Sequence, residues 1–308
     1  MNNKWWLLAG IILIVGYVGF LLKLNPARQN NTPANTGIIQ VVAGENFWGS
    51  LVSQIGGSHV NVLSIVSDPN ADPHEYESNT GNARAFADAD YVILNGAGYD
   101  SWGDKLLSAD STPNRKVLII TDLLGKKEGD NPHFWYNPAY VNSVIVQMEQ
   151  DLISIDPANA SYYEDQYAEL QTSLAQYQNM IAAIKQKSGG VKVAATEDIF
   201  AYLADAAGLD LVSPTAFTQA VAEGNDPPAS SIVEFENQLK NGGIQVLVYN
   251  QQTVTPLTES IKKIATEQGI PIVGITETIQ PPNLSFEDWM SGQLSSLQSA
   301  LDSKTLKQ

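Results

Sequence analysis

Histidine is scarce in this chain, with three in 308 residues, and cysteine is absent. Two of the three follow a proline in similar settings: Asp72-Pro73-His74-Glu75-Tyr76-Glu77 and Asn131-Pro132-His133-Phe134-Trp135-Tyr136. A neutral imidazole nitrogen suits first-row divalent metals, and carboxylates suit harder ions. With no thiolate available, any metal site here is built from nitrogen and oxygen donors. Two later carboxylates are candidates to join the imidazoles, Glu197 in Thr196-Glu197-Asp198 and Glu277 in Thr276-Glu277-Thr278. Each has a plainer reading. A lone loop histidine is commonly a surface or hydrogen-bonded residue. Glu197 also reads as an acid at a helix N-terminus, where the dipole favours it, with Asp198 as the alternative donor. Glu277 also reads as a solvated loop carboxylate. Glu75 and Glu77 adjoin His74 in an extended loop and so point away from anything it holds. Tyr76 and Glu77 read as supporting or surface residues. Trp135 and Tyr136 either wall the site or belong to the core.

Other chemistries lack their residues. No H-E-x-x-H is present, and no Gly-x-Ser-x-Gly elbow, P-loop or Gly-x-Gly-x-x-Gly follows a strand. The formal net charge of -16 repels phosphate backbones and argues against nucleic acid as a partner. The missing cysteines exclude thiol catalysis, disulfides and a lipid-bearing cysteine, and they fit an oxidising exterior.

The elements that must position these residues alternate strand with helix. Strands are predicted at Ile38–Val42, Val60–Val66, Tyr91–Leu94 and Val117–Ile120, with helices at Phe47–Ile55, Asn82–Ala89 and Ala139–Ile153. After Ser188-Gly189-Gly190 the pattern recurs. Strands are predicted at Val191–Ala195, Leu209–Val212, Val246–Tyr249 and Ile272–Ile275, with helices at Ile199–Ala207, Ser230–Lys240 and Pro256–Gln268. Such alternation implies parallel sheets whose carboxyl ends gather ligands. His74 and His133 follow the second and fourth strands; Glu197 and Glu277 follow the first and last strands of the later half. His59 precedes a strand, at the opposite edge, and reads as a surface turn residue. Between the halves, Ala158 to Lys187 contains no Pro or Gly. Its apolar residues Tyr163, Tyr167, Leu170, Leu174, Tyr177, Ile181 and Ile184 keep one face for the whole length. At ~1.5 Å per residue that helix is about 45 Å long, enough to serve as a spine across two lobes.

The predicted organisation is an α/β chain with two four-stranded lobes, residues 38–156 and 189–308, joined by a linking helix at 157–188. Residues 24–37 read as a flexible polar tether. In residues 1–23, an unbroken apolar run from Trp5 to Leu22 is flanked by Lys4 and Lys23. It is long enough to cross the hydrocarbon core and shows no A-x-A-like cleavage site, so it reads as an uncleaved transmembrane signal-anchor.

The two Pro-His motifs, in this order and followed by a long helix, resemble those of the zinc- and manganese-binding solute receptors of ABC importers. Thr196-Glu197-Asp198-Ile199-Phe200-Ala201-Tyr202 and Thr276-Glu277-Thr278 carry the resemblance further. It covers nearly everything after the tether. It implies four metal ligands between the lobes: His74, His133, Glu197 in a position held by histidine in many zinc binders, and Glu277 where aspartate is usual. Two carboxylates neutralise a divalent charge, and if both bind through two oxygens they raise the coordination number toward six. That leans toward Mn2+, with Zn2+ next, although zinc should still bind tightly. The segment Gly125-Lys126-Lys127-Glu128-Gly129-Asp130 holds no histidine, where zinc receptors often carry a His-rich loop. The resemblance implies a monomeric, non-enzymatic receptor on the extracytoplasmic face of the cell membrane, delivering metal to a cognate ABC permease. A surface adhesin and a metallohydrolase are the competing readings.

Overall fold

The computed structural model describes residues 37–68, 76–110 and 112–305. The apolar run, most of the tether, and His74 with its immediate neighbours therefore lie outside the described residues. Among the described residues no helix is long and apolar enough to cross a membrane.

Two parallel sheets form the frame. The first holds β1 (Ile39–Glu45), β2 (Val60–Val66), β3 (Tyr91–Leu94) and β4 (Lys116–Ile119) in the order β2-β1-β3-β4. The second holds β5 (Lys192–Ala195), β6 (Asp210–Leu211), β7 (Val246–Asn250) and β8 (Ile272–Ile275) in the equivalent order β6-β5-β7-β8. In both, the chain goes to one side and then doubles back across the starting strand. This places a switch point between β1 and β3 and another between β5 and β7, where parallel sheets open a crevice. All four residues of β3 are buried, as an apolar run covered on both faces requires. β2 is an edge strand and exposes Asn61 and Leu63. β4 stops one residue earlier than predicted. Ile120 opens the short α4 (Ile120–Leu123), because the Thr121 N–H and hydroxyl both bond to the Asn95 carbonyl, at 3.0 and 2.8 Å.

The remaining helices of the first lobe are α1 (Asn46–Gly56), α2 (Thr80–Asp88), α3 (Ser101–Ala109) and α5 (Pro138–Ile155). Proline at the first position and the Asn137 side chain, which accepts from the Ala139 N–H at 2.9 Å, start α5. A 3₁₀ turn at Pro157–Asn159 leads into α6 (Ala160–Ser188), the predicted long helix. Its 29 residues run about 44 Å at ~1.5 Å each. Tyr163, Leu170, Leu174, Tyr177, Ile181 and Ile184 are buried along one face, and Tyr167 is half-buried. The second lobe adds α7 (Ala201–Ala206), α8 (Thr215–Ala222), α9 (Ala229–Asn241), α10 (Pro256–Glu267) and α11 (Phe286–Thr305). α3, α8 and α11 were not anticipated. α11 matters most. It lies along α6 and buries Phe286, Trp289, Met290, Leu294, Leu297 and Leu301.

One hydrophobic core runs through both sheets. It joins Ile39, Val41 and Ile93 to Val193, Val246 and Ile275 by way of α1, α5, α6 and α11. His59 sits at the amino end of β2 and is not a free surface residue; its ring lies 4.5 Å from that of Tyr162 at the start of α6.

Because the lobes share this core, they are expected to unfold together. Leu174→Ala, at a position 1% exposed, should cost about 2–5 kcal/mol. It should shift one urea transition seen alike by tryptophan fluorescence and far-UV circular dichroism. Two separable transitions would contradict a shared core.

Candidate functional site

The carboxyl edges of the two sheets face one another, and buried polar residues collect there. His133 lies in the loop after α4 and is fully buried. Its backbone is held by neighbours: the Asn95 amide donates to the Pro132 carbonyl at 2.9 Å, and the His133 N–H donates to Asn131 Oδ1 at 2.9 Å. The imidazole Nδ1 is 2.8 Å from the same Asn131 oxygen and 3.3 Å from Asp198 Oδ1. Nδ1 therefore faces acceptor oxygens, and Nε2 is the ring nitrogen on the other side. That nitrogen points across the crevice and lies 4.0 Å from Glu277 Oε2. Trp135 and Tyr99 meet the imidazole edge-on, at ring separations of 5.2 and 6.1 Å. Phe134, Trp135 and Tyr136 form a buried 3₁₀ turn, so the aromatics after His133 serve as wall and core at once.

Glu277 follows β8 and is fully buried. Its position is set through the backbone: Gln252 Oε1 accepts from the N–H groups of Glu277 and Thr278, at 2.8 and 3.0 Å. Gln293 on α11 accepts from the Thr276 N–H at 3.0 Å and lies 2.9 Å from the Tyr136 hydroxyl. On the carboxylate itself, the Tyr99 hydroxyl donates to Oε2 at 2.7 Å, and the Asn250 amide donates to Oε1 at 2.5 Å. The same amide donates to Oε2 of Glu197 at 2.5 Å. Glu197 follows β5, is 1% exposed, and precedes the 3₁₀ turn Asp198–Phe200.

The structure therefore brings three of the sequence-predicted residues, His133, Glu197 and Glu277, to one buried crevice. The fourth, His74, is outside the described residues. Glu197 and Asp198 are separated in space: Glu197 joins Glu277 through Asn250, whereas Asp198 approaches the Nδ1 side of His133 and lines the cleft outside. Tyr76 and Glu77 turn elsewhere. Tyr76 donates to Asn82 Oδ1 at 3.0 Å and packs on Trp102, and Glu77 is exposed. Among the described residues, no three His, Asp or Glu side chains form a ready-made metal cage. The amide of Asn250 stands between the two glutamates instead.

Sequence reasoning missed Asn250, Tyr99, Asn131, Glu45 and Asp100. A signal existed for three of them. Glu45 and Asn250 each end an apolar parallel strand, and Asp100 closes the loop after β3. Gly96, Ala97 and Gly98 in that loop all have positive φ, which turns Tyr99 toward the crevice. A Cβ on Gly96 would stand 2.5 Å from the Thr121 hydroxyl, so glycine is required there. Burial pushes Glu45 well above the ordinary carboxylate range, and the neighbouring Asp100 and Glu277 push it further. Burial likewise raises Asp100 to about 6, although the N–H groups of Gly96 and Asn95 oppose the rise. A cleft of about 390 Å³ opens beside His133, and its lining includes Glu128, Asp130, Asp198 and Glu223. Carboxylates of one sign in such a cleft attract cations.

The family model of ZnuA, zinc-uptake complex component A, periplasmic, matches residues 41–300. The chain belongs to this family. It is 26% identical over 295 residues to the iron ABC transporter substrate-binding lipoprotein MtsA of Streptococcus pyogenes serotype M6, covering 88% of each chain. It is 25% identical over 195 residues to the manganese-binding lipoprotein MntA of Halalkalibacterium halodurans, a match that spans 60% of this chain and 63% of that protein. The fold resembles that of the periplasmic zinc-binding protein TroA from Treponema pallidum, with a TM-score of 0.73 and 16% identity, covering 86% of this chain and 99% of the other. At that identity the likeness shows the fold alone. Like other members of the ZnuA family, the chain pairs two α/β lobes with one long helix.

The raised acids make stability depend on pH with a definite sign. Above about pH 4.5 the unfolded Glu45 has lost its proton while the folded one keeps it, so Glu45 costs stability as pH rises. Asp100 adds a loss of the same sign between about pH 4 and about pH 6. In chelator-treated protein, Glu45→Gln is expected to gain stability over the unsubstituted chain by an amount that widens from pH 4.5 to 8, read from urea midpoints. A constant or shrinking difference would refute the assignment.

Proposed function

We propose that this chain is the extracytoplasmic receptor of an ABC importer, capturing a divalent transition metal between its lobes through His74, His133, Glu197 and Glu277. The observation that carries the reading is the buried opposition of His133 Nε2 to the Glu277 carboxylate, 4.0 Å apart. It joins the edges of two sheets from different halves of the chain. Glu197 is tied to the same point through Asn250. Two imidazoles and two carboxylates form a neutral complex with a divalent ion, and the imidazoles select against calcium and magnesium. The bound ion is cargo, so the reading is of a receptor and not of an enzyme. Manganese is favoured if both carboxylates chelate, and zinc if each gives one oxygen.

The relatives' names fit this reading, since they describe substrate-binding components of metal importers, and they imply a permease as partner. Those names also include "lipoprotein". The 308 residues here contain no cysteine to carry a lipid, so the apolar run Trp5–Leu22 is the proposed anchor. A receptor so tethered stays beside its permease. Capture and release are proposed to involve small local movements, because the lobes share a core and are pinned through α11. The Asn46 side chain adds a further tie: it accepts from the Ile279 N–H at 2.9 Å and donates to the Ile279 carbonyl at 3.3 Å.

Calorimetric titration of chelator-treated protein with Mn2+ and Zn2+ tests the site. His133→Ala and Glu277→Ala are each expected to weaken binding roughly 100-fold or more, and His59→Ala to leave it unchanged. No binding of either metal, or full affinity in His133→Ala, would sink the proposal. Small-angle scattering is expected to give nearly superimposable profiles with and without metal; a large decrease in radius of gyration would contradict the small-motion mechanism.

A further inference from the structure

Four consecutive backbone N–H groups around Glu277 are each held by a side-chain carbonyl oxygen. β8 ends at Ile275, and Thr276, Glu277, Thr278 and Ile279 continue beyond it with at most 7% exposure. Gln293 Oε1 accepts from the Thr276 N–H at 3.0 Å, Gln252 Oε1 from the Glu277 and Thr278 N–H groups at 2.8 and 3.0 Å, and Asn46 Oδ1 from the Ile279 N–H at 2.9 Å. These acceptors come from α11, the loop after β7, and α1. A buried N–H without a partner is costly, so the three amides dictate the path of the segment. Gln252 stands at the centre. Its own N–H donates to Asn250 Oδ1 at 3.0 Å, which closes a turn at the end of β7. That turn meets Glu277 at both ends, because the Asn250 amide donates to the carboxylate Oε1 at 2.5 Å. All three acceptors are neutral. Carboxylates in their places would accept the same bonds but add charge to a region that already buries Glu45, Asp100, Glu197 and Glu277.

Granting the receptor reading, we propose that Gln252 is a positioning residue for metal capture, fixing the backbone of Glu277 before the ion arrives. Every group in this grip belongs to the protein, so the grip does not wait for metal. An ion that meets a fixed carboxylate does not have to order it, and the cost of ordering is removed from binding. Gln252 acts through the two N–H groups it holds and not as a ligand.

The test compares full-length protein with Gln252→Met and Gln252→Glu, each first checked for fold by circular dichroism and urea midpoint. Methionine matches glutamine in length but loses the acceptor; glutamate keeps it. Amide hydrogen exchange is followed by NMR in chelator-treated samples, and Zn2+ and Mn2+ affinities are measured by calorimetry. In the unsubstituted protein the four N–H groups are expected to exchange slowly without metal. In Gln252→Met those of Glu277 and Thr278 should exchange about tenfold faster or more, while those of Thr276 and Ile279 stay slow. Affinity for the tighter-binding metal should fall roughly 10–100-fold in the same variant. Gln252→Glu should keep the slow exchange and the affinity although its urea midpoint without metal falls, a split that a merely structural role would not give. Fast exchange at Glu277 and Thr278 in the unsubstituted protein refutes the proposal even if neither variant folds. So does a folded Gln252→Met with full affinity, or a folded Gln252→Glu that binds no better than Gln252→Met. If neither Zn2+ nor Mn2+ binds the unsubstituted protein, the receptor reading fails, and this proposal with it, whatever the exchange shows.

Discussion

The site is governed by the cost of holding like charges together out of water. Glu197 and Glu277 are both essentially unexposed, Glu45 is close enough to Glu277 to feel its charge, and Asp100 is beside Glu45. Several buried carboxylates cannot all be ionised without compensation. The fold supplies three kinds. Asn250 and Tyr99 donate to the two forward carboxylates. The N–H groups of Asn95 and Gly96, at 2.6 and 2.8 Å, support Asp100. Glu45 is driven toward its neutral form. What remains is the pair of forward carboxylates that the receptor reading assigns to a divalent cation.

Such an arrangement requires walls that do not yield. If the lobes could part freely, the carboxylates would relax into water and the stored attraction for a cation would vanish. The continuous core prevents this along α6. α11 adds a polar tie, since Gln293 links the turn after His133 to the residue before Glu277. Asn46, next to Glu45, is bonded through its side-chain amide to the backbone just beyond Glu277. Both halves of the crevice are thus fixed to each other within a few residues of the groups that do the chemistry.

Periodicity made much of this frame legible. The eight strands alternate with turn residues, and the apolar steps of four and three along α6 leave little doubt about its buried face. The rule that parallel sheets gather ligands at their carboxyl ends then made His133, Glu197 and Glu277 candidates, and the resemblance to the metal receptors chose them over their plainer readings. What stayed hidden has physical reasons. α11 spaces Phe286, Met290, Leu294, Leu297 and Leu301 at helical intervals, but the serines and the glycine between them lower the local propensity and blur the pattern. Losing that helix meant losing Gln293. Asn250 carries no formal charge and so did not register among the candidate ligands. Its role depends on the separation of two glutamates 80 residues apart in the chain, which no local spacing encodes. The choice between Glu197 and Asp198 was of the same kind: adjacent carboxylates diverge at the start of a 3₁₀ turn, and only the fold shows that one enters the crevice while the other lines the cleft.

Selectivity follows from the same balance. A monovalent ion would leave one carboxylate uncompensated in a dry crevice, which is costly. Calcium and magnesium match the charge, but they prefer six or more oxygens. This crevice offers an imidazole nitrogen on one side and two hydrogen-bonded glutamates on the other. An imidazole nitrogen suits a first-row metal better than it suits calcium or magnesium. The residue types of this crevice thus point to a class of ion rather than to one member of it.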